Sequence, residues 1–420
     1  MNKTSIKGFS SSHITVNSFK TTLASVTFTV ALDEKYLAAN SVALRLLESC
    51  PANCKDKKEF SRLLSGLYGT KISSEIAKDG DCQVLRISVS YIDDDFLPNN
   101  DVVSNQIEKL VCDLIFGYKL QQKEFDDKLI EEEKRLLCEE IAGNLNDKRL
   151  YARKRAEEIT CGGEPFALQP TGTINEVKKL TKDDICKAYD RLLSTAFIHL
   201  QTVGKQPSEG LFREFEANLS QISRSFSGDF KTVIKSAKKV EIVTEDLAVN
   251  QGKLVMSLRT NNGGDDVATA PFFVMCDIFG GAPYSKLFTN VREKMSLCYY
   301  CSARPVKKKG LIFVESGIEF DNAQKAMDAI KAQFEDIKQG NFDQELIDCS
   351  KRASTDALKA LYSNQSALDR WYAIRSSCEK YITTDDFAAA INAVAKQDIM
   401  DAAKQVEFDS IYIIKPQGEK

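Results

Sequence analysis

Cysteine and histidine are the side chains from which a protein most readily builds a metal site, and their positions in this 420-residue chain constrain its chemistry first. Two close pairs stand out among the twelve cysteines: Cys50 and Cys54 around Pro51-Ala52-Asn53, and Cys298 and Cys301 around Tyr299-Tyr300. Four thiolates could hold a zinc ion, so a cysteine-based metal protein is one reading. Structural thiols are the other. Cys298 and Cys301 fall in a β-prone run, where residues three apart point to opposite faces, and neither pair carries a knuckle glycine. Histidine is scarcer still. The chain holds only His13, in a polar N-terminal stretch, and His199, in an apolar closing strand, so no two histidines can share a helix face at i, i+4. The remaining candidate is the run Tyr284 to Ala303. Leu287, Val291 and Met295, with Phe288 on the same face, predict a helix that carries Arg292-Glu293-Lys294 into the β-prone Leu297 to Cys301.

The totals exclude several classes of function. With 43% hydrophobic and 28% charged residues the composition is ordinary for globular proteins, and the length predicts two or more domains. A net charge of -3 without a block of basic residues leaves no electrostatic footprint for nucleic acid. No apolar window is long enough to span a membrane, and Met1 to Ser12 lacks the apolar stretch of a secretory signal. Twelve scattered cysteines in a chain of this size predict reduced thiols and a cytoplasmic location.

The elements that must position these residues follow a repeating order. A strand over Phe19 to Leu32 is followed by helices at Asn40 to Cys50 and Lys57 to Leu67, strands at Lys71 to Ala77 and Gln83 to Ser90, and a helix at Val102 to Phe116. The charged stretch Gln122 to Ile159, broken near Gly143-Asn144, reads as helices with solvated faces. A capped helix, Thr181 to Leu193, and a strand, Ala196 to Val203, close the half. After a weakly patterned region the same order returns. Thr181-Lys-Asp-Asp-Ile and Ala395-Lys-Gln-Asp-Ile stand 214 residues apart, each opening the helix before a final strand. This spacing predicts a duplicated α+β domain, 1–210 and 246–420 around a linker at 211–245, each a mostly antiparallel sheet with helices packed on one face. Trp371 and the phenylalanines read as core.

The Tyr284 to Ala303 run, preceded by Gly280-Gly281, resembles the Arg…Tyr signature in the second half of insulinase-like (pitrilysin-type) zinc peptidases such as mitochondrial processing peptidase. Glu133-Lys-Arg-Leu-Leu-Cys-Glu-Glu140 is similar to that family's Glu-Arg…Glu segment, with Glu140 at the position of its third zinc ligand, and Glu164 to Thr181 is similar to its Pro-Leu…Gly-Thr…Leu-Thr stretch. Active members carry His-x-x-Glu-His on an early helix, two ligands with a general base between them. Here Leu44-Arg45-Leu46-Leu47-Glu48 stands in that place. On this register Leu44 and Glu48 replace the histidines and Leu47 the base, which leaves Glu140 vestigial.

The resemblance therefore implies a catalytically inactive homologue that holds no zinc and no other cofactor. It implies that Arg292 and Tyr299 contact a peptide substrate, the forked guanidinium and the phenol hydroxyl both donating to peptide carbonyls. Leu67-Tyr68-Gly69, Asn146 to Ala152 and Gly163-Glu164-Pro165 are similar to inactive members of bacterial two-protein pairs, whose companion keeps the zinc motif. By that likeness the chain is one half of a processing-peptidase-like clamshell, in a heterodimer with a zinc-containing homologue or in a homodimer. The alternative is a scaffold or peptide-binding protein that acts alone.

Overall fold

A computed structural model describes residues 2–3, 6–144, 146–228, 230–264, 266–378 and 380–417. Met1, Thr4 and Ser5 of the N-terminal stretch, and Asp229 of the polar run before Val240, lie outside that set. Strands β1 (Asn2–Lys3), β2 (Phe9–Thr15) and β3 (Thr21–Ala31) open the chain and lead into helices α1 (Glu34–Ser49) and α2 (Lys57–Gly66). Strands β4 (Lys71–Asp79) and β5 (Cys82–Ile92) follow, then α3 (Ser104–Leu120), α4 (Asp127–Gly143), α5 (Lys148–Thr160), α6 (Ile174–Lys179), α7 (Lys182–Thr195), β6 (Phe197–Gly204) and α8 (Glu209–Ser220). The second half runs β7 (Glu241–Leu247), β8 (Gly252–Thr260), α9 (Ala270–Gly280), β9 (Cys298–Val306), β10 (Leu311–Ile318), α10 (Ala323–Gln339), α11 (Gln344–Ala360), α12 (Gln365–Arg375), α13 (Thr384–Ala393), α14 (Lys396–Lys404) and β11 (Val406–Pro416).

Two sheets result, in orders β1-β2-β6-β3-β5-β4 and β7-β11-β8-β10-β9. Leaving aside the two-residue β1, the second order repeats the first strand for strand. Among the described residues, the one parallel pair in each sheet is the closing strand with its outer neighbour, β2 with β6 and β7 with β11, and the other pairs are antiparallel. The fold is thus α+β with a duplicated, mostly antiparallel sheet, as the sequence predicts.

The chain divides into two compact units, and each takes a segment from the opposite half of the sequence. The first comprises Met1–Ala142, Leu168–Lys231 and Leu361–Tyr381; the second comprises Gly143–Ala167, Thr232–Ala360 and Ile382–Lys420. In the first unit Ala24, Val26, Phe28 and Val30 of β3 pack against Leu44 and Leu47 of α1 and the apolar faces of α3 and α7. The opposite face of β3 reads as polar, yet Ser25 and Thr27 are also buried. Helix α12 covers them: Leu368 and Tyr372 pack on Leu23 and Val203, while Asp369 accepts hydrogen bonds from Ser25 Oγ (2.6 Å), Gln201 Nε2 (2.7 Å) and Arg86.

The second unit repeats this arrangement with α5. Ala152 and Ala156 pack on Val255, Phe313 and Tyr412, and just beyond the helix Glu164 accepts from Arg259 Nη2 at 2.7 Å, while Asp409 accepts from Arg259 Nε at 2.8 Å. A buried carboxylate costs several kcal/mol unless it is paired and hydrogen-bonded. Each exchanged segment therefore carries an acid that only its own docking site satisfies.

Three local readings change. The helix that the sequence allows over Gly210 to Leu219, at the start of the expected linker 211–245, forms as α8, but its Leu211, Phe212, Phe215 and Leu219 belong to the first unit's core. His13 lies in β2, paired in parallel with β6, instead of in a polar tail. The helix before Arg292 is π-helical over Leu287–Lys294, with Met295 N–H bonded to the Asn290 carbonyl. A wider turn buries Leu287 and Val291 but rotates Met295, the third residue of the predicted stripe, out to 50% exposure.

Candidate functional site

In the first unit the polar face of α1 meets α4. Asp33 starts α1 by capping Lys35 N–H, and Leu44, Leu46 and Leu47 turn inward, so Arg45, Glu48 and Ser49 lie on the side away from the core. Leu44 and Leu47, expected at the degenerate zinc motif, are fully buried and reach no polar group there. Arg45 and Ser49, one turn apart, are the residues that meet the two glutamates. Arg45 donates from Nε to Glu133 at 3.1 Å and from Nη1 to Glu140 at 2.9 Å, and Ser49 Oγ donates to Glu133 at 2.5 Å. Lys57 of α2 adds a third donor to Glu133 at 2.9 Å. Glu48 instead accepts from Ser74 Oγ on β4.

Glu133 is only 3% exposed, against the expectation of a solvated helix face. Burial would raise its pKa, but the hydrogen bonds from Ser49 and Lys57 and the charges of Lys57 and Arg45 outweigh that and hold it below the ordinary carboxylate range. The arrangement is a closed ion cluster in which a guanidinium already serves both carboxylates. The sequence contained the signal that Arg45 and Ser49 face this way: with Leu44 and Leu47 assigned to the core by helical periodicity, their polar neighbours must face out. It contained none for Lys57, whose role depends on how α2 packs.

Close by, a cavity of about 550 Å³ is lined by Cys50, Ala52, Cys54, Tyr118 and Leu129, with lysines and acids at its mouth. Burial pushes the Cys50 thiol up to about 11 and raises Cys54, so neither is poised as a thiolate. Cys298 and Cys301 belong to the other unit. Among the described residues no group of three or more His, Cys, Asp or Glu side chains is placed to hold a metal ion.

In the second unit the π-helical segment ends at Lys294, Ser296 follows as a non-glycine residue in the left-handed region at φ 52°, and the chain enters β9. Gly280 at the end of α9 lets that helix lie against β9, since a Cβ there would sit 2.5 Å from Ala303 N. The pairing of β9 with β10 then slips: Tyr300 opposes Gly317, but Cys298 opposes Ile318, which leaves Tyr299 as the extra residue of a β-bulge. The bulge turns Tyr299 outward to 61% exposure. Arg292 Nε donates to the Tyr299 carbonyl at 3.0 Å, its guanidinium lies over the Phe288 ring at 4.4 Å, and Nη1 pairs with Glu293 at 3.1 Å. The Tyr299 hydroxyl is 3.4 Å from Glu319.

The same bulge overturns the reading of the cysteine pair. In a regular strand residues three apart face opposite ways, but the extra residue brings Cys298 to the face that Cys301 occupies, in hydrogen-bond contact with it.

Residues 179–354 match the family model described as the peptidase M16 inactive domain. A curated relative from Bacillus subtilis (strain 168), named probable inactive metalloprotease YmfF, is 29% identical over 84% of this chain and 83% of its own length. The chain is similar to inactive-type M16 (insulinase-like) peptidase homologues. The solved structure of a conserved protein from Enterococcus faecalis V583 is similar to this chain at a TM-score of 0.87, with 23% identity, over 99% of this chain and 98% of that one. The structure of a peptidase M16 inactive domain from Pseudomonas fluorescens gives 0.74 at 14% identity, over 98% and 95%. At these identities the likeness is one of fold, and it extends over nearly the whole chain. Among the described residues no helix is long and apolar enough to cross a membrane.

Proposed function

We propose that this chain is the non-catalytic subunit of a two-chain zinc peptidase, in which it binds the peptide and a homologue carrying His-x-x-Glu-His supplies the metal. The observation that carries the reading is the Arg292–Tyr299 corner. A guanidinium anchored on a bulge and a phenol held out to solvent offer forked and single donors to an extended peptide. β4 is the outermost strand of its sheet, the position at which an added peptide strand would extend the ladder.

The degenerate motif is then read one residue later than the sequence alone suggests. Arg45-Leu46-Leu47-Glu48-Ser49 keeps the glutamate of His-x-x-Glu-His, with Arg45 and Ser49 in place of the histidines and Glu140 as the former third ligand. Arg45 takes over the metal's charge role without its Lewis acidity, so this chain contributes no water activation. On the same reading 1–210 and 246–420 are the two copies of the duplicated domain, and the subunit works in the cytoplasm.

The test is to mix the purified chain with a His-x-x-Glu-His homologue and follow both association and peptide cleavage. Co-elution in gel filtration with a rise in cleavage supports the subunit reading. Full cleavage by the homologue alone, with no association, rejects it and leaves the scaffold reading.

A further inference from the structure

The β9 bulge places two thiols side by side beneath an exposed residue. Cys298 and Cys301 are in hydrogen-bond contact, 9% and 3% exposed, with Ser316 of β10 beside both. Arg292 adds positive charge toward Cys298 while its Nε holds the carbonyl of the bulged residue, Tyr299. Cys112 and Cys276, by contrast, are buried without a second cysteine beside them, and burial pushes their thiols upward. Cys298 differs. The hydrogen bond from Cys301 draws its thiol below the ordinary value, in which Ser316 and Arg292 assist against the effect of burial, and the same contact pushes Cys301 up. One thiol is thus favoured as thiolate with a protonated partner within reach, the arrangement of a redox-sensitive cysteine and its resolving neighbour.

We propose that Cys298 and Cys301 form an oxidisable dithiol site, with Cys298 the thiol that reacts with hydrogen peroxide and Cys301 the thiol that resolves it to a disulfide, drawing in the bulge that presents Tyr299. The Cys298 thiolate attacks the peroxide O–O bond, giving the sulfenic acid and releasing hydroxide, which is protonated to water. Cys301 sulfur then attacks Cys298 sulfur, its proton leaves with the departing hydroxide as a second water, and the S–S bond forms. Two thiols lose two protons and two electrons, and one peroxide is reduced to two waters. The loop so closed contains only Tyr299 and Tyr300, so the new bond would flank the Tyr299 carbonyl that Arg292 grips. The site stands on this geometry whether or not the chain binds peptide.

The full-length chain, reduced and then titrated with hydrogen peroxide, is digested with trypsin, and the peptide that begins at Met295 and carries both cysteines is weighed. The expected product is that peptide two hydrogens lighter, at lower peroxide than modifies Cys50, Cys112 or Cys276, and restored by dithiothreitol. Cys301→Ser should instead leave Cys298 as a sulfenic acid trapped by dimedone, and Cys298→Ser should abolish the early reaction; both replacements are nearly isosteric. Hydrogen exchange over 292–301 should change on oxidation of the wild type and not of either variant. The proposal is overturned if Cys298 and Cys301 stay reduced while other cysteines oxidise, if Cys301→Ser yields no trapped sulfenic acid at Cys298, or if the link forms with no change in exchange at 292–301.

Discussion

Arg292 Nε donates to the main-chain carbonyl of Tyr299 at 3.0 Å, which joins the end of a π-helical turn to the bulged start of an edge strand. This bond sets the direction of Tyr299 through its backbone and leaves the phenol exposed. Because the guanidinium is part exposed and its partners are one carbonyl, the exposed Glu293 and the Phe288 ring, Arg292→Ala should change global stability by less than about 1 kcal/mol in urea unfolding. A loss of about 3 kcal/mol or more would make Arg292 a structural strut and remove the argument that it is held for binding.

Glu133 sits under Arg45, Ser49 and Lys57, so removing the guanidinium leaves a buried carboxylate with two of its three donors. Arg45→Leu should destabilise the chain by about 1–3 kcal/mol at pH 7, less than an isolated buried charge would cost. Glu133 has a lowered folded pKa, so its contribution is complete above the ordinary carboxylate range and is lost as pH falls through the lowered value. The gap between wild type and Arg45→Leu in urea unfolding should narrow in acid; a gap that is constant with pH would place the effect in packing.

If Arg45 and Ser49 occupy the places of two metal ligands, restoring histidine at both should restore a metal site, because Glu140 already reaches that helix face. Arg45→His with Ser49→His should bind close to one zinc per chain by metal analysis after dialysis, and adding Glu140→Gln should weaken it. Zinc content no higher than in the wild type would show that the motif is not in this register.

His199 is wholly buried between Ser10 and Ser12, which contact its two ring nitrogens at 2.8 and 3.0 Å. Burial lowers its pKa to about 4, against smaller upward effects of hydrogen bonds with Gln201 and Ser10. A histidine lowered on folding takes up its proton more readily in the unfolded chain, so its contribution is complete above about 6.5 and declines as pH falls toward about 4, by roughly 3 kcal/mol in all. Asp369 nearby has a raised pKa and acts with the opposite sign, so the check is a comparison. Wild type should lose more stability than His199→Gln between pH 7 and pH 4.5, and equal losses would count against the buried neutral imidazole.

Duplication is legible in the sequence because capping chemistry is local. Asp184 and Asp398, 214 residues apart, each accept the N–H of the residue three before them and open the helix before a closing strand, even though Ala395 cannot return the bond that Thr181 makes. Strand alternation likewise places Val26 and Phe28 on an apolar face, whereas Leu44 and Leu47, expected at the degenerate zinc motif, prove to be core. What is not legible depends on distant or single-residue events. No local pattern says that α5 and α12 dock on the sheets of the opposite halves, since Glu164 and Asp369 look like ordinary surface acids until Arg259 and Arg86 reach them. The bulge at Tyr299 is one extra residue, and it reverses the face assigned to Cys298. Glu133 sits in a charged run whose usual reading is solvent, and only the packing of α2 and α4 against α1 buries it.

The central claim is that Arg292 and Tyr299 serve a peptide whose cleavage is performed by another chain. The direct measurement is the rate of peptide cleavage by a His-x-x-Glu-His homologue with this chain added as wild type, Arg292→Ala or Tyr299→Phe, each checked for association by gel filtration. The account predicts that wild type raises the rate, and that the variants associate equally well yet lower kcat/KM by about tenfold or more, the loss of one or two hydrogen bonds to substrate. Equal rates with all three proteins at equal association would contradict it.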